Sequence, residues 1–235
     1  MPRRALARSE GFVFHVINRS VRRVRIFCDE HDFRAFENVL AETLAIIPTR
    51  LLAYCVMPSH WHLVLWPVSN EMPRFMHRLT LTHAKRWHAA RGSQGSGPVY
   101  QNRYHAVPVQ TEKHLCNVVR YVERNPVRGN IVARAEDWPW SSARPKRDES
   151  TSIQLADWPF RKPQNWIDVV NAAPPEWEVE EIRAAVSRNW PLGDKGWQQI
   201  TAAQLAMSLR KPGRPQTKPG LVFKIFKGGG ENLEN

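Results

Sequence analysis

The segment Tyr54-Cys55-Val56-Met57-Pro58-Ser59-His60-Trp61-His62-Leu63-Val64-Leu65-Trp66-Pro67 sets two histidines two residues apart inside an apolar, β-prone run. Side chains alternate between the faces of a strand, so His60 and His62 project from one side, close enough to chelate a single cation. Trp61 and Leu63 point the other way, into a core. An isolated His-x-His pair also fits two histidines on an exposed strand face, so its meaning depends on what the rest of the chain brings to it.

The second informative stretch is 111–128, which reads as a helix with Thr111 as N-cap and Leu115, Val118, Val119 and Val122 as its apolar stripe. The opposite face carries His114, Asn117, Tyr121 and Asn125, so Tyr121 and Asn125 sit one turn apart and face the same way. A tyrosine hydroxyl then shares a surface with an amide oxygen suited to a hard cation. Taken alone, Tyr121 is equally an amphipathic tyrosine at the edge of a core. Pro126 ends the regular helix near Asn125, because a proline disfavours helical geometry in the residue before it.

Around these two stretches the pattern predicts a strand at 11–18, an arginine-rich turn, a helix at 31–47, strands at 50–57 and 60–67, a helix at 72–91, a glycine-rich loop at 92–98 and a strand at 103–110. The β-α-β-β-α-β order with short connections predicts an α+β fold: a ferredoxin-like split βαβ whose antiparallel sheet carries its helices on one side and leaves the other face free for ligands. From about Pro145 the chain turns Pro-, Trp- and charge-rich, with helices expected near 179–188 and 198–209 and then a Lys/Arg/Gly/Pro tail. The expected organisation is a folded α+β domain at 1–145 and a mainly helical, basic C-terminal extension at 146–235, with no internal repeat.

The 34 Lys and Arg against 22 Asp and Glu give a formal charge of +12 and a pI near 10.2, which favours a polyanionic partner. Arg3, Arg4, Arg8, Arg19, Arg22, Arg23 and Arg25 crowd the first strand and the turn after it, and Arg103, Arg120, Arg124 and Arg128 flank the proposed catalytic elements, where they could contact phosphates. The ten tryptophans offer base-stacking surface in principle, though core packing accounts for most of them. Three cysteines without a Cys-x-x-Cys pair point to a reducing cytoplasm, and the lack of a long apolar stretch argues against a membrane partner.

Met57-Pro58-Ser59-His60-Trp61-His62, Tyr100-Gln101-Asn102-Arg103-Tyr104-His105 and Arg120-Tyr121-Val122-Glu123-Arg124-Asn125-Pro126-Val127-Arg128 resemble, in this order, the single-tyrosine HUH transposases. Within that superfamily the chain looks most like the REP-associated tyrosine transposases. Phe14-His15-Val16-Ile17-Asn18-Arg19 and Trp138-Pro139-Trp140-Ser141-Ser142 also fit, and Pro191-Leu192-Gly193-Asp194 and Gly213-Arg214-Pro215 follow more weakly.

The resemblance implies a DNA single-strand endonuclease and strand transferase acting on REP-like palindromic hairpins, as a monomer or homodimer. Tyr121 would be the nucleophile that forms a covalent 5′-phosphotyrosine. His60, His62 and Asn125 would hold a divalent cation, and Arg19, Arg22, Arg23, Arg103, Arg120 and Arg124 would contact DNA. Two imidazoles alone suit Zn²⁺ as readily as Mg²⁺ or Mn²⁺, and it is the resemblance that favours Mg²⁺ or Mn²⁺. Two other functions stay open on the residues themselves: a non-catalytic protein binding structured DNA or RNA, and a metal-dependent phosphodiesterase without a covalent tyrosine. Among the remaining histidines, His31, His77, His83 and His88 read as surface or packing residues. His15 and His105 could approach a bound strand but have no partner at ligand spacing, and His114 shares the Tyr121 face two turns earlier.

Overall fold

The computed structural model describes residues 8–110, 112–144, 153–207 and 209. Strands β1 (Val13–Arg19), β2 (Thr49–Met57), β3 (His60–Pro67) and β4 (His105–Val109) form one antiparallel sheet in the order β2-β3-β1-β4. Helix α1 (Glu30–Ile46) joins β1 to β2, and α2 (Met72–Ala90) joins β3 to β4, which is the ferredoxin-like α+β arrangement. Five further α-helices follow among the described residues: α3 (Lys113–Glu123), α4 (Asn125–Arg128), α5 (Trp166–Asn171), α6 (Glu176–Arg188) and α7 (Lys195–Gln204).

Local chemistry explains the principal boundaries. Asp29 caps α1 by accepting the Asp32 backbone N–H at 3.0 Å. Pro58 and Ser59 form the two-residue connection of the β2-β3 hairpin, and the Pro58 carbonyl accepts from both Ile26 and Phe27 N–H, which fixes the chain after β1 against the turn. Pro126 has no N–H to return to the Val122 carbonyl, and the helix divides there into α3 and α4. Helix α3 opens at Lys113, and the expected cap Thr111 lies outside the described residues, as do the basic tail and its Gly213-Arg214-Pro215 segment.

The sheet is covered on both faces, which corrects the expectation of helices on one side only. Trp61, Leu63, Phe14 and Val16 pack with α1 and α2. On the other face Val13, Ala53, Cys55, Val64, Val107 and Val109 pack with α3, α5 and α6. The physical cause is legible in β2: Leu51 to Met57 are all buried, an apolar run without alternation, as two-sided burial requires.

The extension beyond residue 145 therefore shares an apolar cluster with the sheet. Trp166, Val170, Val179, Ile182 and Leu192 complete the layer over α3 and β4. Short helix α5 went unread in the sequence. No helix among the described residues is long and apolar enough to cross a membrane.

Candidate active site

Strand register assembles the site. In β1-β3 pairing, Arg19 lies opposite His60 and Ile17 opposite His62, and Ile17 also lies opposite His105 on β4. Directly opposed residues share a face, so Arg19, His60, His62 and His105 look toward the same side of the sheet as His15. Helix α3 crosses this side over β2, β3 and β4 and brings Tyr121 down onto it. The Tyr121 ring meets His62 edge-on at 5.8 Å and His15 at 6.0 Å between centroids.

The rotation of α3 is fixed from behind. The buried Glu123 carboxylate accepts from Ser142 Oγ at 2.7 Å and from the Trp166 indole N–H at 2.6 Å. Burial raises its pKa above the usual carboxylate value. Ser142 belongs to Trp138-Pro139-Trp140-Ser141-Ser142, which runs beside β2: Val56 N–H donates to the Trp140 carbonyl, Ser142 N–H to the Tyr54 carbonyl, and the Trp138 indole to the Val56 carbonyl. Two sequence motifs thus meet at Glu123, two residues after Tyr121 and on the opposite side of the helix.

His60, His62 and Asn125 converge. His62 Nε2 lies 3.0 Å from the Asn125 amide, and the same amide reaches His60. Burial is the main cause that lowers the His60 pKa to about 4, with the positive charges of Arg19, Arg128 and Arg23 adding to it. The His62 pKa falls well below the ordinary value, again through burial first, then through the adjoining His15 and His60 imidazoles and the charges of Arg19 and Arg128. Both imidazoles are therefore neutral at physiological pH, the state a metal ligand requires. Amide oxygen and nitrogen are interchangeable in placement, so Asn125 can present its oxygen to the same point. Two ligands at about 2.1 Å and a right angle stand roughly 3.0 Å apart, which the His62–Asn125 spacing matches. The donor set fits a divalent cation.

Asp29, His31 and Asp32 also cluster. Their carboxylates already have partners: Asp29 caps α1, and Asp32 binds Arg91 at 2.7 Å and the Cys28 N–H at 2.9 Å. That cluster is an N-cap and an ion pair.

A pocket of about 400 Å³ opens beside Tyr121 and His62. Arg19 and Asn18 line it from β1, Arg103 and Asn102 from the loop before β4, and Arg183, Val186 and Ser187 from α6. Arg22 and Arg23 follow at the end of β1 in an exposed turn. Arg128 stacks 4.9 Å over the Tyr121 ring and donates to the Tyr121 hydroxyl at 3.3 Å and to Asn125 Oδ1 at 3.4 Å.

Of the expected site residues, the structure brings Tyr121, His60, His62, Asn125, Arg19 and Arg103 together. Arg120 and Arg124 are engaged by the extension instead. Arg120 pairs with Glu178 of α6, and Arg124 donates to the Val170 and Asn171 carbonyls at the end of α5. His114 lines a separate cleft beside α6, with Trp177 and Trp190, away from Tyr121. Sequence reasoning missed the contribution of α6, for which no local signal exists. It also missed the contact of His15 with His62, which the period of two shared with Ile17 and Arg19 would have indicated once the register was known.

Sheet order, helix placement and a tyrosine facing a His-x-His pair define a tyrosine transposase domain. Residues 9–125 match the family described as transposase IS200 like, and the chain belongs to that family. Within it the chain is similar to the REP-associated tyrosine transposases. It is 23% identical over 148 residues to the Escherichia coli protein of that description, covering 63% of this chain and 84% of that one. It is 25% identical over 133 residues to a Haemophilus influenzae protein named for the same group, covering 52% and 74%. A solved REP-associated tyrosine transposase bound to a REP hairpin aligns over 60% of this chain and 81% of its own, with a TM-score of 0.49 and 20% identity.

Proposed function

We propose that the protein is a DNA single-strand endonuclease and strand transferase that acts on REP-like palindromic hairpins through a covalent 5′-phosphotyrosine at Tyr121. The observation that carries this reading is the meeting of Tyr121, His62, Arg19 and Arg103 around one pocket, with Asn125 against His62 and Arg128 against the Tyr121 hydroxyl. Similarity to relatives named REP-associated tyrosine transposases supports the choice of REP-like DNA.

Arg19, Arg103, and Arg22 and Arg23 at the pocket's edge would bind the phosphates of the strand and pin the scissile group against Tyr121. The Tyr121 oxygen bonds to phosphorus as the bond to the 3′-oxygen breaks. The phenolic proton passes to solvent and the leaving 3′-oxygen takes one up, ending as a free 3′-hydroxyl with no net change in protons. Reversal with an incoming 3′-hydroxyl rejoins a strand without consuming water. The Arg128 guanidinium donates to the tyrosine oxygen and holds it in place in either direction of the reaction. A Mg²⁺ or Mn²⁺ ion held by His60, His62 and Asn125 would supply Lewis-acid polarisation of a non-bridging phosphate oxygen.

Tyr121→Phe removes one hydroxyl and keeps the ring, so it is expected to abolish the denaturant-resistant protein–DNA adduct while hairpin binding persists. His60→Ala with His62→Ala is expected to remove Mn²⁺ binding in calorimetry. Adduct formation by Tyr121→Phe would overturn the nucleophile. Hairpin binding without cleavage by the native protein in Mn²⁺ would make it a binding protein, and phosphodiester turnover without an adduct would make it a phosphodiesterase.

A further inference from the structure

We propose that His15 is a positioning residue of the site, holding His62 in the tautomer whose Nε2 lone pair is directed at the Asn125 side chain. The proposal builds on the metal site of the proposed function, and it concerns a residue outside the His-x-His pair.

His15 stands on β1, one side-chain repeat from Ile17, which is directly opposite His62. His15 is therefore the diagonal neighbour of His62 on the same face of the sheet. Its Nε2 lies 2.9 Å from His62 Nδ1, and the two rings are stacked within 16° of parallel at 5.1 Å between centroids. Both side chains are buried, at 0% and 1% exposure, so water does not compete for the bond.

A neutral imidazole carries one N–H, and two neutral rings sharing one contact have two arrangements. In the first, His62 donates from Nδ1 to His15 Nε2, and its own Nε2 is left as a lone pair facing Asn125. In the second, His15 donates, and His62 must carry its proton on Nε2, where a cation would have to bind. Only the first makes His62 a ligand, and the metal-ligating histidine with its other nitrogen hydrogen-bonded is a recurrent design.

His15 Nδ1 has no hydrogen-bond partner among the described residues, in either arrangement. A buried polar atom left this way costs stability. Its neighbours on the same strand face, Val13 and Ile17, are apolar and buried, so an apolar ring would fill this position without that cost. What the imidazole adds is its bond to His62.

The test uses the full chain and Mn²⁺ alone, without DNA. His15→Phe is expected to weaken Mn²⁺ affinity by about 10- to 100-fold while leaving thermal stability equal or higher. His15→Gln places an accepting oxygen near the lost Nε2 and is expected to recover most of the affinity. Long-range proton–nitrogen spectra should show His62 protonated on Nδ1 in the native chain and no longer exclusively so in His15→Phe. Unchanged affinity in His15→Phe, or His15→Gln no better than His15→Phe, would overturn the assignment. Should His15→Phe fail to fold, the native spectrum and His15→Gln still decide it. A native chain that binds no Mn²⁺ through His60 and His62 removes the metal site itself, whereas a His62 proton on Nε2 removes the role of His15.

Discussion

Burial gives His15, His60, His62 and His83 their chemical state. His15 falls to about 3 and His60 to about 4, and the distant His83, enclosed by Phe27, Phe36 and Tyr100, also falls to about 4. His83 has no part in the proposed chemistry. Its Nδ1 lies 2.7 Å from the Tyr100 hydroxyl, which itself accepts from the Trp61 indole N–H at 3.1 Å. With its hydrogen committed to His83, Tyr100 can accept from Trp61, so His83 must be neutral at Nδ1. A base whose folded pKa lies below its unfolded value binds fewer protons folded than unfolded, so stability is full above about 6.5 and is lost as pH falls toward 4. The window costs about 1.4 kcal/mol per pH unit for each such group. Urea denaturation of His83→Asn, which keeps an acceptor for Tyr100 but does not titrate, is expected to lose about 2 kcal/mol less than the native protein between pH 7 and pH 5. Parallel losses in the two proteins would show that His83 does not contribute.

At the scale of elements, the placement of Tyr121 depends on how α3 is held. Glu123 is 1% exposed and accepts from both Ser142 and Trp166, one on each side of α3. Glu123→Gln exchanges one acceptor for a donor and leaves one of those groups unpaired in the interior. The expected cost is about 1–3 kcal/mol, read as a lower urea midpoint, together with slower adduct formation at Tyr121. An unchanged midpoint would show that the Trp138–Ser142 segment holds α3 without this carboxylate. The break between α3 and α4 is the complementary device: it falls at Arg124, Pro126 being unable to donate back into α3, so Asn125 opens the short helix α4 with its amide against His62.

On the scale of the whole molecule, the extension completes both the core and the site. Its Trp166, Val170, Val179, Ile182 and Leu192 are buried against α3 and β4, and Arg183 and Ser187 of α6 line the pocket beside Tyr121. Burying an aliphatic side chain contributes about 1.5–3 kcal/mol, and domains of this size are stable by only about 5–15 kcal/mol. Truncation after Arg144 is therefore expected to give an insoluble or non-cooperatively unfolding product rather than an active domain with altered selectivity. Solubility, a thermal melt and the adduct assay on the fragment check this. A soluble fragment that melts cooperatively and forms the adduct would make the extension a separable module.

The sequence by itself determined the strands of the sheet, the helices joining them and the Tyr121 helix, with the chemistry along each. Alternation around His60 and His62 put both rings on one strand face, helical spacing put Tyr121 beside Asn125, and the order of elements specified a ferredoxin-like sheet. These are short-range consequences of the periods of two and 3.6, which need no knowledge of distant residues. The β3 bounds agree for the same reason, since Pro58-Ser59 and Pro67 bracket the run. Only the tertiary structure decided which element meets which. The β1-β3 register set Arg19 opposite His60 and His15 diagonal to His62, and the docking of α5 and α6 drew Arg120 and Arg124 away from the pocket while bringing Arg183 to it. A basic residue on a helix face reads the same in sequence whether it meets a phosphate or a glutamate more than fifty residues away. The partner is selected by burial and packing across the fold, and that choice leaves no local pattern.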